Sequence, residues 1–121
     1  MNTTAITLPS ITGFLFLMAG VPKVFGVPAP MGARVRTAFE RFAMPAGVRL
    51  ATGAIEIVFA AGLWIAAATD TASLAIATAA AGIVVLIGAA GAHAKAKDPA
   101  PEYAPVALYL ALCAAIIATA A

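Results

Sequence analysis

The sequence predicts an all-α integral membrane protein: a four-helix bundle with a short amphipathic interfacial helix between spans one and two. The first observation is composition, because 64% of the 121 residues are hydrophobic, 10% are charged and the mean hydropathy is +1.04. A soluble domain is about half apolar and a quarter charged, so a soluble enzyme, a disordered chain and a disulfide scaffold are excluded. The second observation is length, because at about 20 residues per span four spans leave no room for a soluble domain. We therefore predict that residues 1–121 form a single membrane domain.

The spans are predicted from four apolar runs and the residues that end them. These runs cover residues 6–27, 48–68, 72–93 and 103–121. Pro9 and Pro105 fall in the first turn of their runs, where proline is tolerated, and Pro28 stops the first run. Asp70 or Thr71 is expected to N-cap the third span.

Residues 31–43 differ from the apolar runs because their hydrophobic residues follow helical spacing. The apolar side is formed by Met31, Val35, Ala38, Phe39 and Phe42, and the opposite side by Arg34, Arg36, Glu40 and Arg41. This pattern is typical of a helix that lies in the membrane interface.

Glycines inside the spans are expected to let helices approach closely in lipid. Gly53 in the second span and Gly82, Gly88 and Gly91 in the third are the residues to which we assign this role.

The basic residues predict the orientation of the chain in the bilayer. All seven flank the first and third connections, namely Lys23, Arg34, Arg36, Arg41, Arg49, Lys95 and Lys97. The positive-inside rule places that side in the cytoplasm and both termini outside. Trp64 fits an interfacial anchor on the outer side. The N-terminus lacks the basic segment of a cleavable signal peptide, so we expect the first span to be retained.

Glu56 is the most informative residue, because it lies near the middle of the second span. A carboxyl there costs a few kcal/mol to insert and normally faces the bundle interior with a partner. One interpretation is structural, in which Glu56 holds helices together through a hydrogen bond. The other is functional, in which it carries a proton, acts as a general acid or base, or binds a ligand.

Four further polar residues lie at depths from which they can meet Glu56 in the cytoplasmic half of the bundle. We assign Glu56, His93 and Lys23 as candidate catalytic residues, and Arg49 and Tyr109 as candidate substrate-binding residues. Each has a structural alternative: Lys23 and Arg49 can extend to headgroups, and His93 can cap a helix C-terminus. Tyr109 needs a hydrogen-bond partner, for which Glu56 is a candidate.

The sequence contains none of the common motifs for binding a metal ion, a redox cofactor or a nucleotide phosphate. The sequence has no Cys-x-x-Cys, no histidine pair at metal spacing and no glycine-rich phosphate loop, so no metal site and no covalently or motif-bound cofactor is predicted. A flavin or nicotinamide would require a partner protein. Although the pI is about 9.0, no basic stripe lies on a soluble face, so nucleic acid is not an expected partner.

Several segments together resemble the DoxX-like family of small four-span membrane proteins. They are Ala19-Gly20-Val21-Pro22-Lys23-Val24, Phe42-Ala43-Met44-Pro45, Gly53-Ala54-Ile55-Glu56 and Gly88-Ala89-Ala90-Gly91-Ala92-His93. Their order and spacing are similar to the family's small-glycine-x-x-lysine signature, its glycine-or-alanine-x-proline entry to span two, its glycine-x-x-glutamate in span two and its pattern at the end of span three. The likeness covers most of the chain.

The resemblance implies a multi-pass protein of a bacterial-type inner membrane. The family's founding members are subunits of a thiosulfate:quinone oxidoreductase, and some relatives assemble with redox proteins. For an electron-transfer role it therefore implies either the binding of a quinone or scaffolding, in both cases with a redox protein as the partner. Thiosulfate oxidation is not carried over, because the sequence has no redox centre of its own.

Three functions remain open at this stage. The first is a membrane protein that binds a lipophilic, quinone-like molecule around Glu56 within a redox-linked system. The second is a cofactor-independent isomerase or hydrolase that uses Glu56 and His93 for acid/base chemistry on a lipophilic substrate. The third is a non-catalytic assembly or transport factor. The lipid bilayer is an expected partner in all three, and a homo-oligomer is left open.

Overall fold

The computed structural model describes residues 3–25 and 31–120. Its helices are α1 (Thr3–Phe25), α2 (Met31–Arg41), α3 (Ala46–Thr69), α4 (Ala72–Lys95) and α5 (Ala104–Ala120), with a 3₁₀ turn over Ala100–Tyr103. Within these ranges all regular secondary structure is helical. The predicted stop at Pro28, the ends of the first and fourth predicted spans, and the side chains of Met31 and Arg36 lie outside the described residues.

In the described part of the chain, four helices are long and apolar enough to cross a membrane: α1, α3, α4, and α5 together with its preceding 3₁₀ turn. The α1 helix begins three residues before the predicted span, and α3 begins two residues before. The predicted fold class is confirmed, since the chain is an all-α membrane bundle with a short amphipathic helix after the first span.

The four long helices form a closed ring. Helix α1 packs against α3, and this is the most extensive contact between two helices. Helix α3 also packs against α4, α4 packs against α5, and α5 packs against α1, which closes the ring. Phe16 of α1 lies in the core, 1% exposed, with its ring edge-on to Phe59 at 5.5 Å and to Tyr109 at 5.2 Å. Leu63 and Cys113 are fully buried beside it.

Large apolar side chains also cover the outside of the bundle. Phe14, Val58, Val84 and Leu108, one from each long helix, are all at least half exposed. In water such a surface would be a strong aggregation site, whereas lipid tails solvate it without cost. The outer surface therefore contacts the lipid bilayer, as predicted.

The glycine predictions are correct for two residues and wrong for two. A Cβ on Gly53 would lie 2.8 Å from the carbonyl oxygen of Gly20, and one on Gly82 would lie 3.3 Å from side chains of α1 and α5. Within the described part of the chain, a Cβ on Gly88 or Gly91 would meet nothing within 4 Å. These two glycines lie on parts of α4 that no neighbouring helix approaches, so they do not mediate close packing.

Within residues 3–25 and 31–120, three helices are followed by a residue with left-handed backbone conformation: Ala43 after α2, Asp70 after α3 and Lys97 after α4. In each case backbone N–H groups beyond the helix bond its last carbonyls, as in Schellman-type caps. Thr71 occupies the N-cap position of α4, but its side chain makes no capping bond and instead contacts the Thr69 hydroxyl at 2.7 Å. Thr71, one of the two expected residues, is therefore the N-cap residue of α4, but without the side-chain capping bond that was expected.

Helix α2 has the predicted amphipathic pattern in its described side chains. Phe42, just after its end, is buried, and Val35, Ala38 and Phe39 are half-buried. Arg34, Glu40 and Arg41 are exposed. The apolar side of α2 faces the bundle, where the helix contacts α1.

Candidate functional site

A cavity of about 500 Å³ lies at one end of the bundle, where α1 and α4 end and α3 and α5 begin. Residues from all five helices line it, and most of these are apolar. Its polar lining residues are Lys23, Arg34, Thr52, Glu56, His93 and Tyr109. The volume falls within the range of about 300–1,000 Å³ that is typical of small-molecule pockets.

Glu56 and Lys23 form an ion pair across the α1–α3 interface. Lys23 Nζ donates a hydrogen bond to Glu56 Oε1, and Glu56 is only 5% exposed. Each residue follows a glycine by three positions on its own helix, and Gly20 and Gly53 lie in contact. Residues three apart lie on the same helix face. The close glycine contact therefore brings the two charged side chains together.

Tyr109 does not hydrogen-bond to Glu56. Its hydroxyl donates to the backbone carbonyl of Leu15 in α1 at 2.7 Å. The hydrogen-bond partner suggested by depth was therefore wrong, because depth does not fix the rotation of α5. Tyr109 still lines the cavity next to Phe16.

His93 and Arg41 both contact the carboxylate of Asp98, which follows α4. The distance between His93 Nδ1 and Asp98 Oδ2 is 2.5 Å. Arg41 donates from Nε to Asp98 Oδ1 at 2.8 Å and from a terminal nitrogen to Oδ2 at 3.1 Å. The Asp98 side chain is 3% exposed. This three-residue cluster, Arg41–Asp98–His93, joins the end of α2 to the end of α4.

The cluster fixes the charge state of Asp98 at neutral pH. The hydrogen bond from Arg41, followed by that from His93, lowers the pKa of Asp98 below its usual value. In return the hydrogen bond with Asp98 raises the pKa of Arg41. Asp98 is therefore an ionised carboxylate, and a carboxylate can only accept hydrogen bonds.

The His93 ring is held by aromatic side chains as well as by Asp98. The Phe42 ring meets it edge-on at 5.0 Å, and the Tyr103 ring lies at 5.3 Å. His93 does not cap α4, because backbone N–H groups of Lys97 and Asp98 bond the last carbonyls. The capping alternative for the His93 side chain was therefore wrong.

Arg49 lies apart from the other candidate residues. It is half-buried, it does not line the cavity, and its side chain makes no hydrogen bond or ion pair within the described residues. The cavity is lined instead by Val48, Thr52 and Glu56 of α3, which follow each other at intervals of four residues along one helix face. Four of the five predicted residues meet at the cavity, and Arg49 does not.

Asp98, Arg34 and Thr52 were not among the predicted site residues. Asp98 lies just past the end of α4, five residues after His93 in the last turn of that helix. Because the chain turns back there, the Asp98 side chain can reach the His93 ring. This five-residue spacing at a helix end was the feature of the sequence that could have predicted the pair. Within the described residues, no three His, Cys, Asp or Glu side chains lie close enough together to hold a metal ion.

The fold and cavity define the class of protein as a small four-span membrane bundle whose polar groups meet at one end. The family model of the DoxX-like family matches residues 7–116, so the chain belongs to the DoxX-like family. Searches of curated proteins and of solved structures found no significant match.

Proposed function

We propose that this protein binds a lipophilic small molecule with an oxygen-bearing head, of the quinone type, in the cavity around Glu56. The observation that carries the proposal is the cavity itself. It has a volume of about 500 Å³, its lining is mostly apolar, and its polar lining groups include the Lys23–Glu56 pair and His93. Ligand pockets typically have this composition, in which a few polar groups orient a largely apolar ligand.

The polar groups define how the head would be held. The Lys23 ammonium has three hydrogens, and one of them is donated to Glu56. The remaining hydrogens can reach a carbonyl or hydroxyl oxygen in the cavity. Phe16, Leu86 and Val106 would contact the apolar part of the ligand. Under this proposal Tyr109 contacts the ligand through its ring, and Arg49, which does not line the cavity, takes no direct part in binding.

A redox-linked role is proposed from the family resemblance. The chain belongs to the DoxX-like family, and the resemblance described above implies quinone chemistry with a redox partner protein. In this role the protein holds the quinone, and the partner supplies the redox centre. Residues 1–121 would act as a single membrane domain in that assembly.

The test compares two glycines of α4 that tolerate a side chain equally. A Cβ on Gly88 or on Gly91 would meet nothing within 4 Å, but only Gly88 lines the cavity. Binding of decylubiquinone to the detergent-purified protein should weaken at least tenfold in Gly88→Leu, because the added side chain occupies the cavity. Gly91→Leu should bind like the wild type.

Equal binding by both variants and the wild type would overturn the proposal and favour the non-catalytic assembly or transport role. Extraction of the purified protein provides a second measurement. A lipophilic molecule identified by mass spectrometry in the wild type and in Gly91→Leu, but lost from Gly88→Leu, would support the proposal.

A second candidate function is a cofactor-independent hydrolase or isomerase. The observation that favours it is the Asp98–His93 pair at the cavity wall, since a carboxylate that orients an imidazole is a common arrangement for a general base. Glu56 would supply the second acid/base group. Steady hydrolysis of p-nitrophenyl decanoate by the wild type, lost in His93→Gln and in Glu56→Gln, would support it. If the wild type hydrolyses this ester no faster than Gly88→Leu, the result would contradict this second function.

We also propose that the cavity end faces the cytoplasm and that both termini lie outside, because the basic residues flank this end. In a Cys113→Ser background, Glu102→Cys and Asp70→Cys place single thiols at opposite ends of the bundle. A membrane-impermeant maleimide should label position 70 in intact inner-membrane spheroplasts and position 102 only after permeabilisation. The reverse pattern would overturn this orientation.

A further inference from the structure

We propose that His93 presents an unprotonated Nε2 to the cavity as a hydrogen-bond acceptor, so that the site selects a ligand bearing a hydroxyl group. Asp98 is the positioning residue that fixes this state of the ring. The inference rests on the proposed function and deepens it, because it favours the hydroxyl-bearing, quinol-like form of a lipophilic molecule.

The first step concerns the hydrogen on the imidazole. Asp98 Oδ2 lies 2.5 Å from His93 Nδ1 and also accepts a hydrogen from Arg41. Because an ionised carboxylate has no hydrogen to donate, Nδ1 must carry the hydrogen of this bond. In the neutral imidazole the lone pair then remains on Nε2.

The second step concerns which ring nitrogen reaches the cavity. His93 lines the cavity and Asp98 does not, so the ring edge that bears Nδ1 is directed to the loop. Nε2 has no hydrogen-bond partner within the described part of the chain. In that part every buried side-chain nitrogen or oxygen has a partner, so Nε2 is not buried. It is therefore an accessible acceptor.

The third step concerns the rigidity of the ring. Arg41 holds both oxygens of Asp98, and the backbone N–H of Asp98 bonds the carbonyl of His93 at 3.0 Å. Phe42 and Tyr103 contact the ring from α2 and from the 3₁₀ turn. A histidine held in this way keeps one tautomer and one orientation before a ligand arrives.

The fourth step concerns the other polar lining groups. The Thr52 and Tyr109 hydroxyls donate to the backbone carbonyls of Val48 and Leu15. Lys23 and Arg34 offer only donors, and Glu56 Oε1 accepts from Lys23. Glu56 Oε2 on α3 and His93 Nε2 at the end of α4 are then the strong acceptors on the cavity wall. Nε2 of His93 is placed to receive a ligand hydroxyl, while Lys23 can donate to a second oxygen of the same head.

The tautomer is measured directly, because His93 is the only histidine in the chain. Selective 15N-histidine labelling gives one imidazole, whose nitrogen shifts distinguish the two neutral tautomers. The wild type should carry its hydrogen on Nδ1. Asp98→Ala should move the hydrogen to Nε2, and Glu102→Ala should change nothing, since Glu102 lies 4.0 Å from Arg41 and is half exposed. A wild-type ring with a hydrogen on Nε2, either as the other neutral tautomer or as the doubly protonated imidazolium, would overturn the inference.

Ligand selectivity is measured with decylubiquinol and its dimethyl ether under anaerobic conditions. The wild type and Glu102→Ala should bind the quinol about three- to tenfold more tightly than the ether, as expected for one neutral hydrogen bond. Asp98→Ala and His93→Phe should lose that preference. The second variant keeps the Arg41–Asp98 pair, so it provides a test if Asp98→Ala fails to fold.

The outcomes separate this inference from the proposed function. Equal binding of quinol and ether in the wild type, with loss of both in Gly88→Leu, would overturn the inference and support the proposed cavity function. Absence of binding by either compound, in the wild type and in every variant, would contradict both.

Discussion

The two ends of the bundle are built from similar small and apolar residues but differ in what they contain. At one end a cavity of about 500 Å³ lies beside the Lys23–Glu56 pair and the Arg41–Asp98–His93 cluster. At the other end a cavity of only about 230 Å³ lies beside the turn at Asp70 and Thr71. A hydrogen bond from Trp64 Nε1 to the carbonyl of Ser10, at 3.1 Å, joins α3 to α1 there.

The connections explain this difference. At the small-cavity end only two residues, Asp70 and Thr71, separate α3 from α4. At the large-cavity end one connection contains α2, which supplies part of the lining and Arg41 of the cluster, and the other contains Asp98, which precedes the 3₁₀ turn. A polar site in a small membrane bundle is thus formed where the connections are long enough to add residues to the helices.

The largest expected effect comes from breaking the Lys23–Glu56 pair. Lys23→Met should destabilise the protein by about 3 kcal/mol, because it leaves a buried carboxylate without its cation. Adding Glu56→Leu should recover most of that stability, since an apolar pair needs no compensating charge. Unfolding in mixed SDS micelles, followed by circular dichroism, measures both.

Arg49→Met is the matched control, because Arg49 has no ion pair within the described residues. It should change stability by less than about 1 kcal/mol. A loss as large as that of Lys23→Met would show that the buried pair is not what distinguishes this end.

The second effect concerns glycines at the helix contact. A Cβ on Gly20 would lie 2.6 Å from the carbonyl oxygen of Gly53, so Gly20→Ala should cost about 2 kcal/mol by forcing α1 and α3 apart. Gly91→Ala, where a Cβ meets nothing, should gain up to about 1 kcal/mol from helix propensity. The same SDS unfolding assay compares them, and equal effects would contradict the assignment of Gly20 to the contact.

The third effect tests the small-cavity end. Trp64→Phe keeps an aromatic ring but removes the hydrogen bond to Ser10, and it should cost about 1 kcal/mol. Ligand binding at the other end should be unchanged. Since Trp64 is the only tryptophan, unfolding of the variant is followed by circular dichroism instead of fluorescence. A change in decylubiquinone affinity would show that the two ends are coupled.

The smallest effect is the pH dependence of the Arg41–Asp98–His93 cluster, because solvent screens its exposed members. The pKa of Asp98 is lowered in the folded protein, so its contribution is fully present above the ordinary carboxyl pKa of about 3.9. That contribution should be lost as pH falls through the lowered value. The thermal midpoint of the wild type should therefore drop more than that of Asp98→Ala between pH 6 and pH 3. Parallel drops would contradict this assignment.

The sequence was sufficient for the parts of the structure that depend on one-dimensional patterns. The apolar runs predicted four spans, and the spacing of Val35, Ala38 and Phe39 predicted the amphipathic helix. Glu56 was expected to be buried because a carboxyl in mid-span must avoid lipid, and it is 5% exposed. Its pairing with Lys23 was among the expected contacts.

Only the tertiary structure decided the contacts that depend on helix rotation and on loop paths. Arg49 lies seven residues before Glu56, a spacing that puts both on nearly the same face of α3, yet Val48, Thr52 and Glu56 line the cavity and Arg49 does not. The rotation of α5 likewise directs the Tyr109 hydroxyl to the backbone carbonyl of Leu15, to which it donates a hydrogen bond.

Asp98 shows the same limit for loops. Its pairing with His93 depends on how the chain turns after α4, and its pairing with Arg41 joins residues 57 positions apart. Hydropathy fixes which segments leave water, because that free energy depends on residue type alone. Which side chains then meet depends on how four helices pack together, and no pattern within a single helix carries that information.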